Sequence, residues 1–157
     1  MSEISEKDLE ILKILQDNCR LRAKEISRKI QTPISTVFAK TKRMEKEGII
    51  KGYKAMLDPS RLGRGATAFI LVTFEHVSDA SEPSPSQRDV AREIAKLKEV
   101  QEVHIITGDW DLLLKVKAKD MDEIGRLLID KIRLIKGVKK TLTCVAFQTE
   151  KETTDIL

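Results

Sequence analysis

The sequence predicts an α+β protein in two parts, an N-terminal helix-turn-helix domain of winged-helix-like kind and a C-terminal ferredoxin-like βαββαβ domain. Three observations carry this reading. Apolar residues recur at helical spacing as far as Glu47, whereas after Ala66 they alternate like strands between two helical stretches. A turn-rich segment, Asp58-Pro59-Ser60-Arg61-Leu62-Gly63-Arg64-Gly65, divides the two patterns and reads as a linker. The whole excess of positive charge lies in the first part. The boundaries that follow are 1–57, a linker at 58–65, 66–149 and a C-terminal tail at 150–157.

The charge split is the sharper of these signals. Of 157 residues 41% are hydrophobic and 34% charged, enough apolar material for a core. Residues 1–60 hold 13 Lys/Arg against 9 Asp/Glu, whereas residues 61–157 hold 16 of each. Between Arg20 and Lys54 there are 11 basic residues against Glu25, Glu45 and Glu47. A basic block beside a neutral remainder points to one part that meets a polyanion and another with a different task. No apolar run approaches the roughly 20 residues that cross a bilayer, and the first residues lack the pattern of a signal peptide. A soluble cytoplasmic protein with no membrane partner is the expectation. Asparagine occurs once, at Asn18, amid abundant Lys, Glu and Ile, a compositional habit of thermophile proteins.

In the first part Ser5 can cap a helix, with Asp8 at its third position completing an acidic version of the capping box. Leu9, Leu12, Ile14 and Leu15 continue it until Asn18. A second helix runs from about Ala23 to Ile30. Gln31-Thr32-Pro33 interrupts it, because proline is welcome only in a first turn. A third helix extends to about Glu47 with Ile34, Val37 and Met44 inward and Gly48 as its C-cap. Its outer face is read as Ser35, Thr36, Phe38, Ala39, Lys40, Lys42 and Arg43. A helix of this kind fits the major groove of DNA, its N-terminal residues facing base edges and its flanks facing phosphate. Ser35, Thr36 and Ala39 allow close approach; Lys40, Lys42 and Arg43 reach phosphate or guanine, and Arg22, Lys51 and Lys54 add backbone contacts. Ile49 to Leu57 is strand-like, a small β element at the domain edge.

In the second part the first strand, Ala66 to Glu75, is apolar on both sides: Ala68, Ile70, Val72 and Phe74 on one, Phe69 and Leu71 on the other. A polar loop at Ser78–Ser86, a helix at Asp89–Leu97 and a strand at Val100–Thr107 follow. Gly108-Asp109 is a turn, and Leu112, Leu114, Val116 and Ala118 then alternate with Leu113, Lys115, Lys117 and Lys119. Asp120 caps a second helix through Ile124, Leu127, Leu128 and Ile132; after Gly137 the last strand runs from Val138 to Gln148. The helices of a βαββαβ unit cover one face of its sheet. The other face, apolar here, needs a partner, and a second copy of the chain supplies one.

The order of parts, with Ser35-Thr36-Val37, Glu45-Lys46-Glu47-Gly48-Ile49-Ile50, Asp58-Pro59, Leu62-Gly63 and Gly108-Asp109-Trp110-Asp111, resembles the Lrp/AsnC family of feast/famine, leucine-responsive-type transcriptional regulators. The resemblance covers essentially the whole chain. It implies regulation of transcription, directed at amino-acid metabolism, by a homodimer and an octamer of four dimers, and it names the second part a RAM domain (regulation of amino acid metabolism). Two positions depart from the family pattern: Gln31 stands where glycine is usual in the turn, and Lys40 where arginine is usual. Lysine lacks the two-pronged geometry of a guanidinium. A non-glycine residue in a left-handed turn costs on the order of 1 kcal/mol.

The same resemblance implies an amino-acid effector, bound without a covalent cofactor or metal between neighbouring dimers. Its site carries over to Ile105, Ile106, Thr107, Gly108, Asp109, Trp110 and Asp111, with Gly125 and Ile129 opposite and Thr141, Leu142, Thr143, Cys144 and Val145 closing it. Asp109 or Asp111 can accept from the ammonium of a zwitterion, and Thr141 and Thr143 lie where its carboxylate needs donors. With both carboxylates so used, a neutral effector such as glutamine or leucine is expected over lysine or arginine. His76 and His104 stand alone, and Cys19 and Cys144 lack metal-ligand spacing; Cys144 reads as a small buried hydrophobe. An architectural DNA binder leaves the Gly-Asp-Trp-Asp element without a task. A small-molecule enzyme on a ferredoxin-like domain lacks a nucleophile, so no enzymatic activity is expected.

Overall fold

The computed structural model describes residues 3–75 and 85–157, which form two compact units, Met1–Met56 with Lys151–Leu157, and Leu57–Glu150. His76 and most of the polar loop at 78–86 lie outside the described residues.

The first unit is built from three helices: α1 (Glu6–Asp17), α2 (Ala23–Lys29) and α3 (Ile34–Lys46). Ser5 and Asp8 form the expected reciprocal cap of α1. Ile11 and Leu15 share one face of that helix and pack with Ile26, Ile30, Val37 and Met44. Leu9 is exposed instead, because the buried stripe runs through Asp8, Ile11 and Leu15, at i, i+3 and i+7. Ile34, expected inward, is 48% exposed; it opens the first turn of α3, ahead of the position where Val37 meets the core.

The turn between α2 and α3 places Gln31 at φ 49°, the only positive-φ residue other than glycine among the described residues. The family's preference for glycine there thus has its physical cause in the left-handed backbone, which a Cβ disfavours. The segment 49–57 is not a strand. The amides of Ile49 and Ile50 both donate to the Met44 carbonyl (2.9 and 3.1 Å), which folds them back onto α3. Residues 51–57 then run exposed, since β-propensity without a neighbouring ladder does not make a strand.

The second unit has strands β1 (Ala66–Phe74), β2 (Val100–Ile105), β3 (Leu112–Ala118) and β4 (Val138–Ala146), helices α4 (Gln87–Ala95) and α5 (Met121–Asp130), and a short 3-10 turn at Ile132–Leu134. The sheet order is β2-β3-β1-β4, antiparallel throughout, the ferredoxin-like arrangement expected from the βαββαβ order. Ser86 and Asp89 cap α4 reciprocally, and Asp120 caps α5 as read from the sequence. Ala68, Ile70 and Val72 of β1 and Leu112, Leu114 and Val116 of β3 are buried against Val90, Ile94, Ile124 and Leu127 of the helices. Gly137, at φ 97°, cannot be replaced cheaply: a Cβ there would stand 2.8 Å from the Phe74 ring.

On the opposite face of the sheet, register puts Phe69 beside Cys144 and Leu71 beside both Leu142 and Leu113. Among the described residues no helix covers this face: Phe69 and Leu142 are exposed, and so is Cys144, expected buried. Strand pairing ends at Ile105 and Ala146, short of the expected Thr107 and Gln148.

Relieving the left-handed strain sets a test of the turn. Gln31→Gly is expected to stabilise the first unit by about 0.5 kcal/mol, the strain of a Cβ in that conformation less the added entropy of glycine in the unfolded chain. Denaturant melts followed by circular dichroism measure it; a loss of stability removes strain as the explanation of the turn.

Candidate DNA-binding helix and ligand loop

Asp8 is fully buried although it carries a charge. Burial alone pushes its pKa up, but the Ser5 hydroxyl and amide, Lys40 and Arg43 hold the carboxyl far below its ordinary value. Its Oδ2 accepts from the Ser5 amide at 2.9 Å, the Ser5 hydroxyl at 2.6 Å and Arg43 Nη2 at 2.7 Å. Its Oδ1 accepts from Lys40 Nζ at 3.0 Å, and the same ammonium reaches Ser5 Oγ at 2.9 Å. One carboxylate therefore caps α1 and ties down two cations of α3. On the other flank Lys42 donates to Glu45 at 2.7 Å, and the Tyr53 hydroxyl donates to the same carboxylate at 3.0 Å. Burial and Glu45 together raise the Tyr53 pKa to about 12.

These ties redefine the exposed face of α3. Ile34, Ser35, Phe38, Ala39, Lys42 and Lys46 are exposed, whereas Thr36, Lys40 and Arg43 are half-buried, the two cations on the side toward α1. The outer face expected from the sequence left out Ile34, placed inward there, and Lys46. The helical period, with Val37 and Met44 as the inward direction, already placed Lys46 on the outer side. Arg22 is exposed at the start of α2, and Lys51 and Lys54 are exposed beyond α3.

The second unit holds the expected ligand loop between β2 and β3. The Ile106 amide donates to the Asp111 carbonyl at 2.9 Å and closes it. Gly108 takes φ 111°, a conformation that L side chains resist. Thr107 and Asp109 are exposed at the tip, and Ile105 is exposed at its root. Asp111 is an anchor. Its amide donates to the Val72 carbonyl (3.0 Å), its Oδ2 accepts from the Phe74 amide (2.7 Å), and its Oδ1 accepts from Gln87 Nε2 (3.2 Å). The loop is thereby fastened to the end of β1 and the first residue of α4. Trp110 lies under Lys140 of β4, with Nζ 5.4 Å from the ring centroid.

Loop and β4 therefore come together, but the five expected residues of β4 do not share a surface. Thr141, Thr143 and Val145 pair with Val72, Ile70 and Ala68 on the helix-covered face, whereas Leu142 and Cys144 pair with Leu71 and Phe69 on the open one. Alternation along a strand makes this unavoidable. The Thr141 oxygen accepts from Arg133 Nε at 3.1 Å. The Thr143 hydroxyl is buried without a partner among the described residues. Gly125 and Ile129 stand one turn apart on α5; Ile129 is exposed, and a Cβ on Gly125 would meet no atom within 4 Å. Neither joins the hydrogen bonds that hold the loop. Among the described residues no group of three or more His, Cys, Asp or Glu is placed to hold a metal, and no helix is long and apolar enough to cross a membrane.

A helix-turn-helix with an exposed third helix, followed by a ferredoxin-like unit with an anchored loop, defines a two-part DNA-binding regulator. Family models agree with both halves: winged helix-turn-helix DNA-binding matches residues 4–51, and the Lrp/AsnC ligand binding domain matches residues 67–156. An HTH-type transcriptional regulator of Pyrococcus abyssi is 44% identical over 153 residues, covering 97% of this chain and 99% of that protein. The HTH-type transcriptional regulator FL11 of Pyrococcus horikoshii is 34% identical, covering 98% and 95%. A transcriptional regulator of Neisseria meningitidis, solved in complex with L-methionine, superposes with a TM-score of 0.88 at 28% identity, covering 99% and 97%. AsnC of Escherichia coli gives 0.85 at 25%, covering 98% and 99%. The chain belongs to the Lrp/AsnC family of transcriptional regulators, which settles the enzyme alternative against it. The thermophile composition fits the Pyrococcus relatives.

The Asp8 network predicts a pH signature. Because the folded pKa is depressed, its stabilisation is present above the ordinary carboxylate value of 3.8 and is lost as pH falls toward the folded value. Asp8→Ala is expected to cost about 2 kcal/mol at pH 7, the range for a charged buried hydrogen bond, and less at pH 3. Urea melts at the two pH values check this; an equal cost at both would remove the ionised carboxylate as the cause.

Proposed function

We propose that this regulator binds its operator sequence-specifically and that a neutral amino acid, held at the 105–111 loop, sets its assembly and through it DNA binding. The observation that carries the reading is the engagement of Asp111. With that carboxylate committed to Phe74 and Gln87, Asp109 is left at the exposed tip as the acceptor for a ligand's ammonium. No second carboxylate of the loop then remains for a cationic side chain, and burying one unpaired is expensive. Glutamine and leucine fit that class, and the L-methionine bound by the Neisseria regulator belongs to it. The Thr143 hydroxyl, without a partner among the described residues, suits the carboxylate better than Thr141, whose oxygen already accepts from Arg133. Gly125 and Ile129 face the loop across the boundary between neighbouring dimers.

Assembly begins at the open sheet face, where Phe69, Leu71, Leu113, Leu142 and Cys144 of one copy cover those of another. Four such dimers make an octamer, and a ligand shared between dimers stabilises whichever assembly completes its site. The regulator then acts in the cytoplasm on genes of amino-acid metabolism.

Thermal melts of the full chain against the twenty amino acids test the ligand class. Neutral amino acids are expected to raise Tm, by about 2.7 kcal/mol of stability at a hundred times Kd. Asp109→Ala is expected to abolish the rise at unchanged basal Tm, while Asp111→Ala lowers the basal Tm itself. A rise with lysine or arginine alone overturns the class, and an undiminished rise in Asp109→Ala overturns the acceptor.

Light scattering tests the interface. The wild-type chain is expected to be a dimer or larger, and Leu142→Asp, a charge on the open face, to release monomers. A monomeric wild type at micromolar concentration would reject sheet-to-sheet pairing.

A further inference from the structure

The first two turns of α3 carry no charge on their exposed side. Ile34, Ser35, Phe38 and Ala39 face outward there, Ile34 48% and Phe38 57% exposed, and the helix turns cationic outward only at Lys42 and Lys46. The N-terminal residues of such a helix are the ones that meet base edges in a major groove. Guanine is read by two-pronged Arg or by Lys, adenine by Asn or Gln, and cytosine by a carboxylate. None of these side chains stands at positions 34–39. The next cations along the helix are committed: Lys40 and Arg43 to Asp8, and Lys42 to Glu45. Lys42 also sits over the Phe38 ring, 6.0 Å from its centroid, and limits the directions the ring can take. What the exposed turns offer is apolar surface and one hydroxyl. Of the four bases only thymine presents an apolar group in the major groove, its C5-methyl.

We infer that this regulator selects its operator through thymine methyl groups packed on Phe38, with Ile34 and Ala39 extending the contact, and that Lys46, exposed farther along α3, serves the phosphate backbone. The inference rests on α3 being the helix that enters the groove. It assigns Phe38 as a specificity-determining residue. An exposed aromatic ring among short side chains also gains a role, since it loses its contact with water only when the groove closes over it.

The test uses the full chain and a duplex enriched by it from a random-sequence pool. Each thymine of that duplex is replaced singly by deoxyuridine, which removes only the methyl group, and binding is followed by fluorescence anisotropy. At one or more positions per half-site the affinity is expected to fall about fourfold, the value of one buried methyl. The same replacement is expected to cost nothing further in Phe38→Ala, whereas Phe38→Leu, which keeps an apolar side chain, retains part of the effect. Circular dichroism confirms that each variant keeps its helices, and Phe38→Leu carries the test if Phe38→Ala does not fold. 5-Methylcytosine restored at the sensitive position of a cytosine-substituted duplex is expected to recover affinity. The proposal is overturned if no deoxyuridine position matters, or if the loss persists in both Phe38 variants. A consensus dominated by guanines that 7-deazaguanine weakens also overturns it. Failure to enrich any sequence counts against sequence-specific binding itself, a different result from enrichment without methyl dependence.

Discussion

A carboxylate cut off from water must find donors within the protein, and the N-terminal unit is organised around meeting that demand for Asp8. The donors come from the residue that starts α1 and from two residues of α3, 32 and 35 positions away in sequence. Meeting it locks the beginning of one helix to the middle of another and fixes how α3 is rotated about its axis. Rotation decides which side chains of α3 face outward. A net excess of positive charge in this unit is therefore not the same as a row of free cations: the most concentrated of them are spent inside the unit or along its flank.

Asp111 has a parallel part in the second unit. A loop that joins β2 to β3 at one end of the sheet is free to wander unless something holds it. Here a single side chain receives the last amide of β1 and the first side chain of α4. The loop's exposed tip is thus presented by strands and a helix rather than by its own stiffness.

Much of this was legible in the residues. Capping pairs at Ser5 and Asp8 and at Asp120, strict alternation through β3, and the turn chemistry at Gly108-Asp109 are local signals, and local signals survive folding. Gln31 announced a strained turn and sits in one. What escaped was tertiary. Asp8 spells a cap in sequence, but its bond to Arg43 has no local spelling. Ile34 looked like core because it is apolar, yet a residue in the first turn lies ahead of the packing contact. Residues 51–57 have strand composition without a strand beside them. Cys144 looked buried because its strand is apolar; which face of an apolar strand is covered depends on where the helices dock. For the 105–111 loop, the residue types pointed to carboxylates, while only the hydrogen bonds distinguish the one that anchors from the one that is exposed.

The two-sidedness of β4 has a consequence for how such a chain can change over time. Thr141, Thr143 and Val145 look one way and Leu142 and Cys144 the other, so point substitutions at odd and even positions alter separate surfaces. Each surface can drift while its opposite is held constant. An insertion or deletion of one residue inside the strand has no such privacy: it swaps the two sets wholesale, placing hydroxyls on the bare face and large apolar groups under the helices. The strand therefore tolerates rewriting letter by letter and resists any change of length, a constraint imposed by its period of two rather than by any single contact.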